Sequence, residues 1–342
     1  MAAIAAVGAA SAQVSITGEA AWAFASTTSA AGATTSGFGI DTAQLKFAAS
    51  EDLGNGMKVS AGLSLNTGNM GTPGVTAGTA SDDQSISLTT PMATISLVTT
   101  KGADWVTQAS GGATWHGLDG KVLGARSARD GLAITMPLAT GLTLTAAYAE
   151  PSNTLGWGAG DVGQNLYNFA VKYAAGPATL QAAFLQYNNV ANSDVASVGA
   201  DTITRLGGKV DLGVATVGGG LQILKLGAGG TNTQTALSVS APLPGNFSAQ
   251  AVFGSNNMDS NSTSSLVATG RRTGYMLGLQ YNLSKRTYAI LNAGSWTGQT
   301  SNSDGLYAVK ASTGAVVTTT ATALTNDTSA TSMYALTLVH DF

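Results

Sequence analysis

The chain has 342 residues, a formal net charge of −3 and no cysteine. Charged residues make up 10%, against about 25% in an average globular domain, which is too little charge to dress the surface of a large water-soluble fold. No apolar run reaches the roughly 18 residues of a spanning helix, no basic cluster suggests nucleic acid, and there is no thiol for a disulfide framework or a thiolate metal site.

The first residues read MAAIAAVGAASAQ. Ala2 to Val7 resemble the end of a secretory apolar region, and Ala10-Ser11-Ala12 fits small-x-small cleavage. The expectation is a signal-peptide remnant over residues 1–12, without its basic start, and a single unit over 13–342.

From Val14 the sequence alternates. Val14, Ile16, Gly18, Ala20, Trp22 and Phe24 fall on one face, and Ser15, Thr17, Glu19, Ala21 and Ala23 on the other. The pattern returns with Leu45 and Phe47 against Gln44 and Lys46, then with Met57, Val59, Leu63 and Leu65 against Lys58, Ser60, Gly62 and Ser64. It recurs with Leu142, Leu144, Ala146 and Tyr148 against Thr143, Thr145 and Ala147, and with Tyr275, Leu277, Leu279 and Tyr281 against Arg272, Gly274, Gly278 and Gln280. Parity slips around Gln186 and Leu291, where a bulge is expected. Sixteen strands are expected, starting near residues 14, 39, 57, 84, 94, 131, 141, 166, 178, 203, 214, 234, 246, 272, 286 and 332.

Their connections alternate in length. EDLGNG, PMA, ATG, AGP, GV, PLPG and LSK are short, whereas residues 26–38, 68–83, 101–130, 151–165, 189–202, 226–233, 255–271 and 298–331 form long connections. Short turns on one side and long loops on the other mark an all-β, antiparallel transmembrane barrel with its turns in the periplasm. Asn55-Gly56 supplies positive φ angles, and Pro91, Pro177, Pro242 and Pro244 are expected in turns, where a missing N–H costs no ladder bond. Lys285 and Arg286, between two apolar runs, then belong to a turn at the membrane rim.

LSKRT between two alternating strands resembles the penultimate hairpin of the Gram-negative general porins, and SEDLGNGMK after LKFAA is similar to that family's first periplasmic turn. In the ending MYALTLVHDF, Tyr334, Leu336, Leu338 and Phe342 share one parity and look like the assembly signal of outer-membrane barrels. His340 fits the family's usual end; Asp341 stands where a basic residue is common. The resemblance spans about residues 14–342. It implies a 16-stranded barrel in the bacterial outer membrane, a homotrimer among lipid and lipopolysaccharide, through which small hydrophilic solutes and ions diffuse without any cofactor. It also implies that the third external loop, between the fifth and sixth strands, folds inward and narrows the pore. By position, that loop brings Lys121, Arg126, Arg129 and Asp130 to the constriction.

The inward parity carries Glu19, Lys46, Lys58, Lys172, Arg205, Lys209, Asp211 and Arg272, cations outnumbering anions six to two. One reading is a wide, weakly anion-preferring pore; the other is ordinary solvated rim charge. Catalysis is not expected. The two histidines are His116 and His340, no nucleophile turn accompanies His116, and the glycine spacing of GAGDVG from Gly158 has no helix after it. No metal-ligand spacing stands out. A competing class is a structural or adhesive surface protein anchored by a barrel of little conductance, for which the long eighth connection leaves room.

Overall fold

In hydrocarbon every backbone N–H and C=O must pair within the protein, so alternating strands are stable there only in a closed sheet. A computed structural model shows that closure. It describes residues 13–28, 32–66, 80–101, 106, 117–118, 121–123, 128–151, 165–188, 200–226, 231–258, 270–297 and 330–342. The strands are β1 (Gln13–Thr28), β2 (Thr34–Gly54), β3 (Met57–Asn66), β4 (Ala80–Thr89), β5 (Thr94–Lys101), β6 (Ala128–Ala139), β7 (Leu142–Pro151) and β8 (Asn165–Ala175). They continue as β9 (Ala178–Asn188), β10 (Ala200–Asp211), β11 (Thr216–Leu226), β12 (Thr231–Leu243), β13 (Phe247–Met258), β14 (Gly270–Asn282), β15 (Thr287–Thr297) and β16 (Ala330–Asp341). Each is antiparallel to its neighbours in sequence, and β1 pairs with β16 to close the ring.

The short turns follow from their residues. Gly54, Asn55 and Gly56 all have positive φ (79°, 54° and 75°), which lets β2 reverse into β3. The β14–β15 turn holds itself through Ser284, whose Oγ accepts from the backbone N–H of Arg286 (3.1 Å) and Thr287 (3.0 Å). Lys285 and Arg286 are exposed at this turn, where charge costs little. Pro242 departs from expectation. It lies within β12, opposite Ser248 and one residue before the strand ends, so its missing N–H falls where the ladder stops.

The apolar parity faces outward. Ile86, Leu97, Phe169, Phe184, Leu206, Leu277 and Leu336 are exposed large hydrophobics on this face. Tyr167, Tyr173, Tyr275, Tyr281 and Tyr334 accompany them, as the girdles of a membrane barrel require. No bulge occurs at Gln186 or Leu291, where the pairing is continuous. The parity blurs there because the inward neighbours, Leu185 and Ile290, are themselves apolar and buried. The register instead shifts near Ala21/Trp22, Asp52/Gly54, Leu63/Leu65, Pro137/Ala139 and Ala200/Thr202.

Candidate functional site

The lumen is built from the inward parity, and its two sides differ. On β10–β14, directly paired inward residues run Gly207, Gly220, Ala236, Gly254, Gly274 and stop at Trp296 on β15. A row of four glycines and one alanine is a trough. The described residues of the connection between β5 and β6 occupy it. Leu118 and Leu123 lie over Gly254, where an added Cβ would stand 2.8 Å from Leu118 Cδ1. Val122 lies over Gly274, 2.8 Å from the corresponding position, and the Val106 carbonyl covers Gly220 so closely that a Cβ there would overlap it. Val106, Leu118, Val122 and Leu123 join Ala236, Val252, Met276, Trp296, Met333 and Ala335 in one buried apolar cluster. Burying a Val or Leu side chain contributes about 1.5–3 kcal/mol.

A polar row runs beside the trough, two residues nearer the external rim: Arg205, Gln222, Gln234, Asn256 and Arg272 are paired in sequence across β10–β14. Arg205 Nε donates to Gln222 Oε1 at 2.6 Å, and Asn256 Nδ2 donates to the Val122 carbonyl at 2.8 Å. The amide thus anchors the loop backbone where the trough receives its side chains. Lys121 donates through Nζ to the Gly117 carbonyl at 3.1 Å and stands 5.7 Å from the centre of the Trp296 ring, within cation–π range.

The opposite side is lined by hydroxyls. Lys58, Thr89, Thr94, Thr135 and Thr145 form one paired row across β3–β7, and Ser60, Ser87 and Ser96 form the next. Hydrogen bonds join Ser87 to Ser96 (2.8 Å), Thr89 to Thr94 (3.2 Å) and Thr135 to Thr145 (3.1 Å).

The residues singled out on the wall all take inward register positions. Lys46, Lys58, Lys172, Lys209 and Asp211 are exposed, whereas Glu19, Arg205 and Arg272 are half-buried. Glu19 sits directly opposite Asp341 across the closing pair. Asp211 caps its own turn, accepting from the Gly213 N–H at 2.8 Å. Asp130 is a correction to its expected place at the constriction. It pairs with Thr99 on the outward parity of Leu97 and Leu132, and Thr99 Oγ1 donates to its carboxylate at 2.6 Å, so it faces away from the lumen. Arg129 lies opposite Thr100 in the β5–β6 register. Arg126, His116, the glycines from Gly158, the segment 1–12 and the eighth connection lie outside the described residues.

Tyr334, Leu336 and Leu338 are exposed on the outward face of β16. Phe342 closes the seam. It exchanges backbone hydrogen bonds with Gly18, N–H to carbonyl in both directions at 2.9 and 3.0 Å. Its ring covers that glycine, where any Cβ would collide with it. The trough, its Asn256 anchor and the Gly18 seat escaped the sequence reading. Their signal was present, since Gly207, Gly220, Gly254 and Gly274 all sit on inward parity, but only the register aligns them.

A family model described as Gram-negative porin matches residues 1–301. No curated protein sequence matches the chain. Among solved structures, the anion-selective porin from Comamonas acidovorans has a similar fold, with 20% identity, 97% of this chain and 100% of that one covered, and a TM-score of 0.70. OmpT of Vibrio cholerae lacking its loop L8 is also similar, at 12% identity, 97% and 99% coverage and a TM-score of 0.65. A mutant of the Rh. blastica porin follows at 14% identity, 96% and 100% coverage and a TM-score of 0.62. With sixteen strands closed around a polar lumen and a family match over most of its length, the chain belongs to the Gram-negative porins, multi-pass channel proteins of the outer membrane.

Proposed function

We propose that this porin passes small hydrophilic solutes and ions by diffusion, with a weak preference for anions. The carrying observation is the distribution of inward charge. Lys46, Lys58, Lys172, Lys209, Arg205 and Arg272 lie on the lumen wall. Of the inward acids, Glu19 stands opposite Asp341, Asp52 accepts from the Gly54 N–H at 2.8 Å and faces Lys58 across β2–β3, and Asp211 caps its own turn two residues beyond Lys209. Lys46 faces Thr17 and Ser64, Lys172 faces Thr143 and Gln181, Arg205 faces Ala183 and Gln222, and Arg272 faces Asn256, so cations outnumber acids on the inward parity. A wall of neutral hydroxyls binds solutes weakly, and weak binding is what passage requires. A protein of similar fold is itself named an anion-selective porin.

The same reading makes the protein a cofactor-free channel without catalysis. On this reading Lys121 lies near the narrowest point, and residues 1–12 are a leader removed on export. The barrel works as a homotrimer surrounded by lipid and lipopolysaccharide; OmpT of Vibrio cholerae, similar in fold, is described in a trimer form. Reversal potentials of purified protein in planar bilayers under a potassium chloride gradient test the preference. The sign expected is that of chloride permeating faster than potassium; a potassium preference overturns it.

A further inference from the structure

The outward apolar band does not stop where the strands end. Six of the seven short turns carry an exposed large hydrophobic side chain at or beside the reversal: Leu53, Met92, Leu138, Val214, Leu243 and Leu283. One such residue is ordinary on any protein surface; recurrence at the same place around a rim is not. Leu212, Leu243 and Leu283 each follow an inward residue, Asp211, Pro242 and Asn282, so alternation sends them outward. Leu53 and Leu138 are the unpaired residues at the register shifts Asp52/Gly54 and Pro137/Ala139. Met92 and Val214 stand at turn tips, 81% and 77% exposed. Leu243 pairs with Phe247 and Phe247 with Tyr281, the two rings 4.6 Å apart, so the turn residue there runs directly into the outward band. The same turns also satisfy their own amides. Asp52 and Asp211 each accept from the N–H two residues on, Thr90 Oγ1 accepts from Met92 and Ala93 at 3.3 and 3.1 Å, and Ser284 Oγ accepts from Arg286 and Thr287. A reversal that meets its own hydrogen-bonding needs loses little where water thins out.

We propose that the short-turn rim is an insertion surface for the phospholipids of the periplasm-facing leaflet, its apolar tips lying among the first acyl carbons beneath the headgroups. This goes beyond the channel reading and rests on the closed barrel alone. The ring is continuous with a surface already in hydrocarbon, which a lipid extends without a new interface. It is also spread around the rim from β2 to β15, as an encircling solvent requires, whereas a protein partner is fitted by one contiguous patch. Polar groups on the outside mark the boundary from the other direction. Lys285 and Arg286, exposed beside Leu283, have stems that lie along apolar surface while their charges reach the lipid phosphates. Outward Glu51, opposite Val59, and the Thr287–His340 hydrogen bond of 2.9 Å lie at the same headgroup level. The inner mouth of the pore is then ringed by headgroups instead of standing clear of them.

The chain has no cysteine, so single introduced thiols take a nitroxide label at one site each. Met92→Cys and Val214→Cys probe the tips, with Leu138→Cys and Leu283→Cys in their place where either does not assemble. Leu277→Cys, outward and midway along β14, is the hydrocarbon reference, and Lys172→Cys, exposed on the inward parity of β8, is the water reference. Each labelled protein is reconstituted in vesicles of phosphatidylethanolamine and phosphatidylglycerol. The readout is the ratio of spin-label collisions with oxygen, which concentrates in lipid, to collisions with a water-soluble nickel chelate. The tip ratios are expected to exceed that of Lys172→Cys about fivefold or more, as for side chains held at the headgroup–acyl boundary. Lys285→Cys, carrying the same label at the same rim, should read between the tips and the water reference. Tip ratios equal to that of Lys172→Cys, or no higher than that of Lys285→Cys, overturn the proposal. These ratios do not depend on which ion the pore prefers, so this result and the reversal potential fail independently.

Discussion

Phe342 and Gly18 form the last two-bond pair of the ring, with the aromatic ring of one lying where the other has no side chain. The two backbone hydrogen bonds are worth about 1 kcal/mol each net of water, and the glycine is what lets the ring approach. Deleting Phe342 or introducing Gly18→Val is expected to lower the temperature at which the folded barrel converts to the slower, unfolded band on semi-native gels. Gly18→Ala, with a single added methyl, should show a smaller drop. Unchanged conversion temperatures would contradict the seam as described.

Leu277 lies midway along β14 on the outward face and is 48% exposed. Leu277→Arg places a cation in hydrocarbon and is expected to cost about 2–4 kcal/mol, measured as a shift in urea midpoint for barrels reconstituted in liposomes. Ser240→Arg, on the inward parity of β12, should cost far less because its side chain reaches water.

Gly274 leaves room for Val122, and Asn256 holds the Val122 carbonyl. Gly274→Val is expected to push the loop off its seat and change single-channel conductance. Asn256→Ala, which strips a buried carbonyl of its donor at a cost of about 1–3 kcal/mol, should widen the spread of conductance levels. Gly219→Ala, on the outward face of β11, should leave both quantities as they are, since the nearest atom to its added methyl is a lipid-side Leu237 methyl at 3.3 Å.

Asp130 is bound to Thr99 on the outer surface. Asp130→Asn is therefore expected to leave the reversal potential unchanged, whereas Lys58→Gln should move it toward cation permeation. A shift on neutralising Asp130 equal to that at Lys58 would return the carboxylate to the lumen.

The barrel was legible because its constraint is periodic and local. Every second residue of β1, β3, β7 and β14 announces the face it occupies, and turn chemistry such as Gly54-Asn55-Gly56 marks each reversal. β9 and β15 were harder to read because Leu185 and Ile290 are apolar on the inward side; periodicity registers polarity, and a covered inner wall carries none. Asp130 was misplaced for a related reason. Its position near the loop suggested the pore, but facing is set by register with β5, and Thr99 opposite it gives no apolar cue. The small-residue row is a relationship among five strands, and spacing along one strand cannot express it.

A cylinder whose first staple is also its last imposes an order of events. β1 meets β2 across one connection, but its other partner, β16, lies at the far end of the chain. Until that end arrives, both rims of the growing sheet are open and able to pair with foreign strands. Bringing them together bears the entropy of the largest loop the chain can form. Strand insertion one at a time would therefore leave unsealed intermediates in hydrocarbon. The polypeptide must be kept from collapsing during transit and released to the bilayer with its C-terminal strand already in hand.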